Sequence, residues 1–198
     1  MRDTLILASK SQIRARLLLN ANVNVRIVPA RVDEEALRSA GKSECLTHRG
    51  VADFLADAKA RRVAGREDGL VLGCDQVLSM DEELLTKPQG QEEAIAQLRK
   101  LRGKCHHLYS AAVLYDCGNP VWRHVGHVRL SMRHFSDDYM QDYVVRNWSS
   151  IRHSVGGYKL EEEGIRLLSR IEGDHFHVLG LPLMELLSYL IDRGTLPG

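Results

Sequence analysis

Apolar and polar positions along the chain form segments that predict both strands and helices. Short apolar runs or alternating stretches predict strands over residues 4–8, 25–28, 70–72, 109–115 and 122–135. Apolar residues three and four positions apart predict helices from residue 12 onward and over residues 44–64, 92–101, 136–146 and 182–190. Strands and helices alternate early and adjacent strands follow later, so the pattern predicts an α/β fold with a mixed sheet.

The apolar run over residues 70–72 ends at Gly73 and leads directly to Asp75. In open α/β sheets the functional groups collect where strands end, so Asp75 is in a position to take part in chemistry. The simpler interpretation is an aspartate that begins a turn or caps an element.

A second polar group follows the first predicted strand. Ser9, Lys10 and Ser11 precede a helix whose Ile13, Leu17 and Leu18 are expected to point toward the core, and Arg14 lies in the first turn of that helix. Free backbone N–H groups at a helix start bind anions, and hydroxyl and guanidinium groups strengthen such a site. Alternatively, one of the serines caps the helix and Arg14 is a solvated surface charge.

A predicted hairpin over residues 80–88 ends in Lys87, which precedes Pro88. Proline restricts the residue before it to extended geometry, so the backbone at Lys87 has a fixed direction. A lysine near a turn is ordinarily just solvated, and only its combination with the two polar groups above makes Lys87 a candidate.

Length and charge narrow the class of protein. The 198 residues can bury the core of one domain, and a net charge of +1 without a basic stripe argues against a nucleic-acid-binding protein. No apolar run is long enough to span a bilayer, and the first three residues lead into a strand and not into a signal peptide. We therefore expect a cytoplasmic protein without a membrane partner.

Cysteine and histidine give no metal signature. The four cysteines are scattered, and Cys74 is interpreted as a small buried hydrophobe beside Asp75. His106 and His107 are adjacent, and His175 and His177 would share a face if they lay on a strand. Since no further ligand pattern joins these pairs, structural roles are favoured.

An ordered set of motifs carries a family resemblance. The chain resembles the Maf family of nucleoside triphosphate pyrophosphatases from Leu5 to about Gly194. The matching segments are Leu7-Ala8-Ser9-Lys10-Ser11, Val32-Asp33-Glu34, Ala58-Lys59-Ala60, Gly73-Cys74-Asp75-Gln76, Lys87-Pro88, Leu98-Arg99-Lys100-Leu101-Arg102-Gly103, Gly156-Gly157-Tyr158, Arg170-Ile171-Glu172-Gly173 and Val178-Leu179-Gly180-Leu181-Pro182-Leu183.

The resemblance implies one catalytic domain over residues 1–198, in which a mixed twisted sheet with flanking helices forms two lobes around a cleft, similar to inosine triphosphate pyrophosphatase. It implies hydrolysis of the α–β phosphoanhydride of a nucleoside triphosphate. Asp75 would act as the general base or would orient the attacking water, while Lys59, Lys87 and Arg14 would neutralise the phosphates together with Ser9.

The resemblance also implies a divalent metal, Mg²⁺ or Mn²⁺, bound by Glu34 with Asp75, because hard cations prefer carboxylate oxygens. A homodimer is compatible with it. The chain is more similar to the 7-methyl-GTP branch than to the branch for dTTP and UTP. Gln76 stands where the pyrimidine branch usually has threonine, and Glu161 follows Tyr158 in a loop that differs between the branches.

Glu161 would accept the N1–H and N2 hydrogens of guanine, and together with Ile13 and Gln76 it would surround the base. The simpler interpretation of Glu161 is a solvated residue of an acidic run. The first motif departs from the family pattern, because Ile13 replaces a tryptophan typical of the branch and only Arg14 of the expected arginines is retained.

Two alternatives remain open from the sequence. The first is a pyrophosphatase for other noncanonical or pyrimidine nucleotides. The second is a non-catalytic nucleotide-binding regulator of septum formation, against which the retention of Asp75, Lys59 and Lys87 argues.

Overall fold

The computed structural model describes residues 4–198, so the first three residues, for which the sequence predicted no signal peptide, lie outside the described part of the chain. The strands are β1 Leu5–Leu7, β2 Val25–Ile27, β3 Leu70–Met80, β4 Glu83–Leu85, β5 Cys105–Asp116, β6 Asn119–Met132 and β7 Leu168–Glu172. The helices are α1 Gln12–Asn20, α2 Glu34–Ser43, α3 His48–Ala64, α4 Gln91–Leu101, α5 Asp137–Ile151, α6 His175–Val178 and α7 Leu183–Asp192.

The seven strands form one sheet in the order β2-β1-β3-β5-β6-β7, and β4 pairs with β3. β1 is parallel to β2 and to β3, whereas β4 is antiparallel to β3 and β7 is antiparallel to β6. The predicted mixed α/β sheet is therefore confirmed. None of the helices in the described residues combines the length and apolar character needed to cross a bilayer.

The chain divides into two compact units. The first contains residues 4–76, 110–126 and 180–198, and its core includes Leu7, Leu18, Leu55 and Leu72, all without exposed surface or nearly so. In this unit β1 pairs with β3 only as far as Leu7 opposite Leu72, after which β3 continues alone along that edge.

The second unit contains residues 77–109 and 127–179. Its β6 alternates as the sequence predicts, with Val128, Leu130 and Met132 buried and the intervening residues more exposed. The predicted hairpin is also present, because β3 and β4 pair antiparallel and the backbones of Asp81 and Glu82 have the positive φ angles of a tight turn.

Several predicted elements differ from the structure. β3 does not end at Gly73 but continues to Met80, because Val77, Leu78 and Met80 are apolar and buried. The helix predicted over residues 44–64 starts only at His48, after the Thr47 cap. The pattern did not predict α2, which precedes it. The helix predicted to end at residue 146 extends to Ile151.

His175 and His177 do not lie on a strand. The Asp174 carboxylate accepts hydrogen bonds from the backbone nitrogens of Phe176 and His177 at 2.7 and 3.3 Å, and it thereby starts α6. As a result His175 is exposed and His177 is buried, so the two rings do not share a face.

Candidate active site

The candidate site lies in the first unit, along the part of β3 that extends past the end of β1. The backbone nitrogen of Ala8 donates to the Leu72 carbonyl at 2.8 Å, which is the last rung of the β1–β3 ladder. Because carbonyls two residues apart on a strand point the same way, the Cys74 carbonyl faces the edge that β1 has left open. Asp75 is therefore within a strand, but beside the carboxyl end of its parallel neighbour, where α/β sheets place ligands.

Asp75 is held by the ammonium group of Lys59. The Lys59 Nζ lies 2.5 Å from Asp75 Oδ1 and 2.7 Å from Glu34 Oε1, so one cation joins both carboxylates that the sequence assigned to the site. Asp75 is only 4% exposed and Lys59 only 8%. Since ions this buried interact in a low dielectric, loss of either partner would leave a charge that water cannot compensate.

The position of Lys59 follows from an unusually close approach of α3 to β3. The face of α3 toward the sheet consists of small residues, among them Ala52, Ala56 and Ala60, all fully buried. Opposite them is Gly73, where an added Cβ would lie 2.2 Å from the Ala56 carbonyl oxygen. Lys59 precedes Ala60, and Asp75 lies two residues beyond Gly73 on the same side of the strand, so this approach brings the two charges together.

A residue that the sequence analysis missed, Arg38, belongs to the same group. Its Nη2 lies 3.9 Å from Asp75 Oδ2, and its Nη1 is buried without a hydrogen-bond partner in the part of the chain that the structure describes. Arg38 lies one turn after Glu34 on α2, a helix that begins where the Asp33 carboxylate accepts from the Ala36 nitrogen. Asp33 followed by two glutamates is a helix-start signal that could have revealed this helix.

Arg14 joins three segments of the first unit. Its Nε donates to the Gly180 carbonyl at 2.7 Å, and its Nη1 donates to the Cys74 carbonyl at 3.0 Å and to Ser9 Oγ at 3.3 Å. The interpretation of Arg14 as a solvated surface charge is wrong, because the residue is only 8% exposed. All three acceptors are neutral, so the positive charge of Arg14 is not offset by any of them.

The two serines have different roles. Ser11 is the cap of α1, and its hydroxyl accepts from the Arg14 backbone nitrogen at 3.5 Å. The Ser9 hydroxyl instead accepts from the Ser11 backbone nitrogen at 3.2 Å and from the Arg14 side chain. Ser9 is thus fixed by both the backbone and the guanidinium, next to the carbonyl that precedes Asp75.

Two other predicted residues of this unit do not join Asp75. Gln76 is the next residue on β3, so its side chain points to the opposite face of the sheet, where its Nε2 donates to Ser110 Oγ at 2.9 Å. Ile13 is half-buried at the start of α1, while Leu17 and Leu18 are buried as predicted.

Cys74 is fully buried, and burial raises the pKa of its thiol to about 11. A thiol in this state is inert at neutral pH, so Cys74 contributes packing and a backbone carbonyl, not a nucleophile. Its interpretation as a small hydrophobe is confirmed.

Lys87 and Glu161 lie in the second unit, and both are exposed. Neither side chain makes a hydrogen bond or an ion pair with any residue that the structure describes. The rest of the acidic run differs from Glu161. Glu162 accepts from Ser150 at 2.7 Å, and Glu163 accepts from Arg146 and Asn147 at 2.8 Å.

The second unit also holds a buried histidine. His106 has no exposed surface, and its Nε2 lies 2.7 Å from the hydroxyl of Tyr158, which precedes the loop that carries Glu161. Burial lowers the pKa of His106 to about 4, so the ring is neutral at pH 7. A structural role is therefore supported for His106. His107 instead stacks on His127, with their nearest nitrogens 2.9 Å apart.

Comparisons with known proteins identify the family of the chain. The family model described as Maf-like protein matches residues 4–193. The nucleoside triphosphate pyrophosphatase of Roseobacter denitrificans is 57% identical over 198 residues, which cover 100% of each chain. A protein of the same name from Ruegeria pomeroyi is 56% identical over 193 residues, 97% of each chain. The 7-methyl-GTP pyrophosphatase of Mesorhizobium japonicum is 42% identical over 199 residues and is also covered fully. The chain therefore belongs to the family of Maf-like proteins.

Proposed function

We propose that this chain is a nucleoside triphosphate pyrophosphatase. It would add water across the α–β phosphoanhydride and release a nucleoside monophosphate, pyrophosphate and a proton. The observation that carries the proposal is the buried Asp75 carboxylate, which is bonded to Lys59 through one oxygen while its other oxygen has no hydrogen-bond donor among the described residues. The names of the relatives that are 56–57% identical support the same activity.

Asp75 would orient the attacking water and accept its proton. Lys59 bonds to Oδ1 and fixes the carboxylate, which leaves Oδ2 to accept a hydrogen bond from water. A positioned base of this kind contributes about 10²–10⁴-fold to a rate. The alternative, a regulator that binds nucleotides without turnover, would not need a carboxylate fixed in this way.

Cations of the chain would bind the phosphates. Arg14 is a buried cation that donates to two carbonyls and a hydroxyl, all neutral, and Lys59 lies beside the carboxylate that would orient water. Ser9 would add a hydroxyl to this group. Lys87 would also bind phosphate, since its exposed ammonium has no partner among the described residues. Such groups stabilise the charge that develops as the anhydride breaks.

The donor set fits a hard divalent cation. Asp75 Oδ2 is a buried carboxylate oxygen without a hydrogen bond, and the Glu34 carboxylate is joined to Asp75 through Lys59. We therefore propose that Asp75 and Glu34 hold Mg²⁺ or Mn²⁺, ions that prefer carboxylate oxygens. When bound, the metal would neutralise phosphate charge and polarise the anhydride.

For the nucleotide, we propose 7-methyl-GTP. Glu161 supports this choice, because it is the carboxylate of the acidic run that stays exposed and without a protein partner. A carboxylate pairs with the N1–H and N2 amino group of guanine and attracts a methylated, cationic base. The relative that is 42% identical carries the name 7-methyl-GTP pyrophosphatase, whereas the names of the more similar relatives specify no base.

The proposal is tested by measuring pyrophosphate release from 7-methyl-GTP, GTP, dTTP, UTP and ITP, each with Mg²⁺, with Mn²⁺ and with a chelator. We expect release that requires the metal and is fastest with 7-methyl-GTP. Faster hydrolysis of dTTP or UTP would overturn the proposed base and keep the reaction. Binding of nucleotides without release of pyrophosphate would favour the regulator.

A further inference from the structure

Arg38 is a cation near Asp75 that the sequence did not indicate, and its guanidinium makes no hydrogen bond with the residues that the structure describes. Its side chain is 18% exposed, and its Nη1 is fully buried without an acceptor. A guanidinium removed from water in this way loses hydration that the protein has not replaced. Beside a candidate active site, the oxygens of a ligand could accept the hydrogen bonds that these guanidinium donors do not make within the protein.

The long contact with Asp75 does not use those donors. The 3.9 Å between Arg38 Nη2 and Asp75 Oδ2 exceeds hydrogen-bond distance, and the other Asp75 oxygen is already bonded to Lys59. Glu34, one turn earlier on the same helix, is also paired with Lys59. Asp75 therefore does not give Arg38 the two-point contact that a guanidinium makes with an anion.

The charges of the group favour an anionic ligand. Asp75 and Glu34 supply two negative charges, whereas Lys59, Arg38 and Arg14 supply three positive charges, so the group has one positive charge in excess. In a mostly buried site this excess is poorly screened and attracts anions strongly.

The helix that carries Arg38 is held firmly against α3. Gly41 is buried on α2, and an added Cβ there would lie 3.6 Å from Val51 and 3.9 Å from Phe54. The Glu34–Lys59 ion pair fixes the other end of α2 on the same neighbour. Arg38 lies between these two contacts, so its direction is set by the packing of the helix.

We propose that Arg38 is a further phosphate-binding residue, whose guanidinium makes a two-point contact with oxygens of the pyrophosphate part of the substrate. This inference rests on the proposed function for the identity of the substrate, but the binding of phosphate groups can be measured without turnover. Arg38 is a substrate-binding residue in this account, not a positioning residue for Asp75.

The experiment measures the binding of inorganic pyrophosphate, in the presence of Mg²⁺, by calorimetry for the full chain and for Arg38→Met, Arg38→Lys and Lys42→Met. Arg38→Met keeps the length of the side chain and removes the donors. Lys42 is exposed on the next turn of α2, so Lys42→Met removes one positive charge from the same helix without touching the group. Circular dichroism establishes that each variant is folded.

We expect Arg38→Met to raise the dissociation constant of pyrophosphate about 10- to 100-fold, as the loss of charge-assisted hydrogen bonds does. Arg38→Lys should recover part of the affinity, because it keeps the charge but not the planar pair of donors. Lys42→Met should stay within about twofold of the unchanged chain. If Arg38→Met does not fold, Arg38→Lys carries the test, with an expected loss of about threefold to tenfold.

Three results would overturn the inference. The first is an affinity for pyrophosphate that is unchanged in the folded Arg38 variants, even if kcat falls. The second is a loss of affinity in Lys42→Met equal to that in Arg38→Met. The third is a full-length chain that binds no pyrophosphate. The proposed function can fail without the failure of this inference. A chain that binds pyrophosphate through Arg38 but hydrolyses no nucleotide would contradict the function and leave this inference standing.

Discussion

Gly73→Ala tests whether the close approach of α3 to β3 positions Lys59. The added methyl carbon would lie 2.2 Å from the Ala56 carbonyl oxygen and 2.6 Å from the Ala60 nitrogen, whereas such contacts are essentially never below 3.0 Å. The helix must therefore retreat by about 0.8 Å, the difference between 3.0 and 2.2 Å. Both obstructing atoms belong to the backbone, so no side-chain rotation can relieve them.

Two effects should follow from this displacement. Overpacking of this kind costs about 1–3 kcal/mol of unfolding free energy. Lys59 moves with the helix, and the 2.5 Å contact between its Nζ and Asp75 Oδ1 lengthens. Because a misplacement of about 1 Å in an active site costs on the order of 10²-fold in rate, kcat should fall by roughly that factor.

The assay combines urea unfolding with steady-state release of pyrophosphate. Gly65→Ala is the matched control, since this glycine ends the same helix with a φ of −73° and an added Cβ would lie 3.5 Å from the Arg61 carbonyl oxygen, an ordinary contact. The control should keep full activity and change stability by less than about 1 kcal/mol. An unchanged kcat in Gly73→Ala, whatever its stability, would refute the claim that the close approach of α3 to β3 positions Lys59 beside Asp75.

Three further predictions concern the second unit. Lys87→Ala should lower kcat/KM by roughly tenfold or more, because it removes a proposed phosphate-binding charge, and unchanged steady-state kinetics would make Lys87 a surface lysine. Glu161→Gln should lower kcat/KM about tenfold for guanine nucleotides and leave pyrimidine nucleotides within about twofold, with exposed Glu92→Gln as control; an equal loss on all bases would exclude Glu161 from base recognition. His106 has a folded-state pKa of about 4 against 6.5 when exposed, so the unfolded chain binds the extra proton and stability falls as pH decreases from about 6.5 to 4. In urea unfolding, the wild-type chain should lose up to about 3 kcal/mol more unfolding free energy than His106→Gln between about pH 6.5 and pH 4. Parallel pH profiles of the two proteins would contradict the lowered pKa of His106.

The chemistry of the site was more predictable than its geometry. Apolar runs and ordered motifs identified Asp75, Lys59 and Glu34, and the structure joins them through one ammonium group. The sequence did not predict that Asp75 lies inside a strand. β3 continues to Met80, and the strand that ends beside Asp75 is β1. A continuous apolar run gives no sign of where a neighbouring strand stops.

Arg14 and Arg38 show the same limit. Sequence spacing places Arg14 on a helix, but it does not reveal the Cys74 and Gly180 carbonyls that accept from Arg14, because Gly180 lies 166 positions away. Arg38 was missed because the helix that carries it contains Gly41, a poor helix former that packing against α3 tolerates.

Pyrophosphate release by Asp75-assisted attack of water is tested most directly by phosphorus NMR of the products from 7-methyl-GTP in ¹⁸O-water, for the wild-type enzyme and for Asp75→Asn. We expect a monophosphate and pyrophosphate, with one ¹⁸O atom, from the water that Asp75 would orient, in one of the two products. We also expect a rate at least about a hundredfold lower in Asp75→Asn. Formation of a diphosphate and orthophosphate, or an Asp75→Asn enzyme as fast as the wild-type enzyme, would contradict this mechanism.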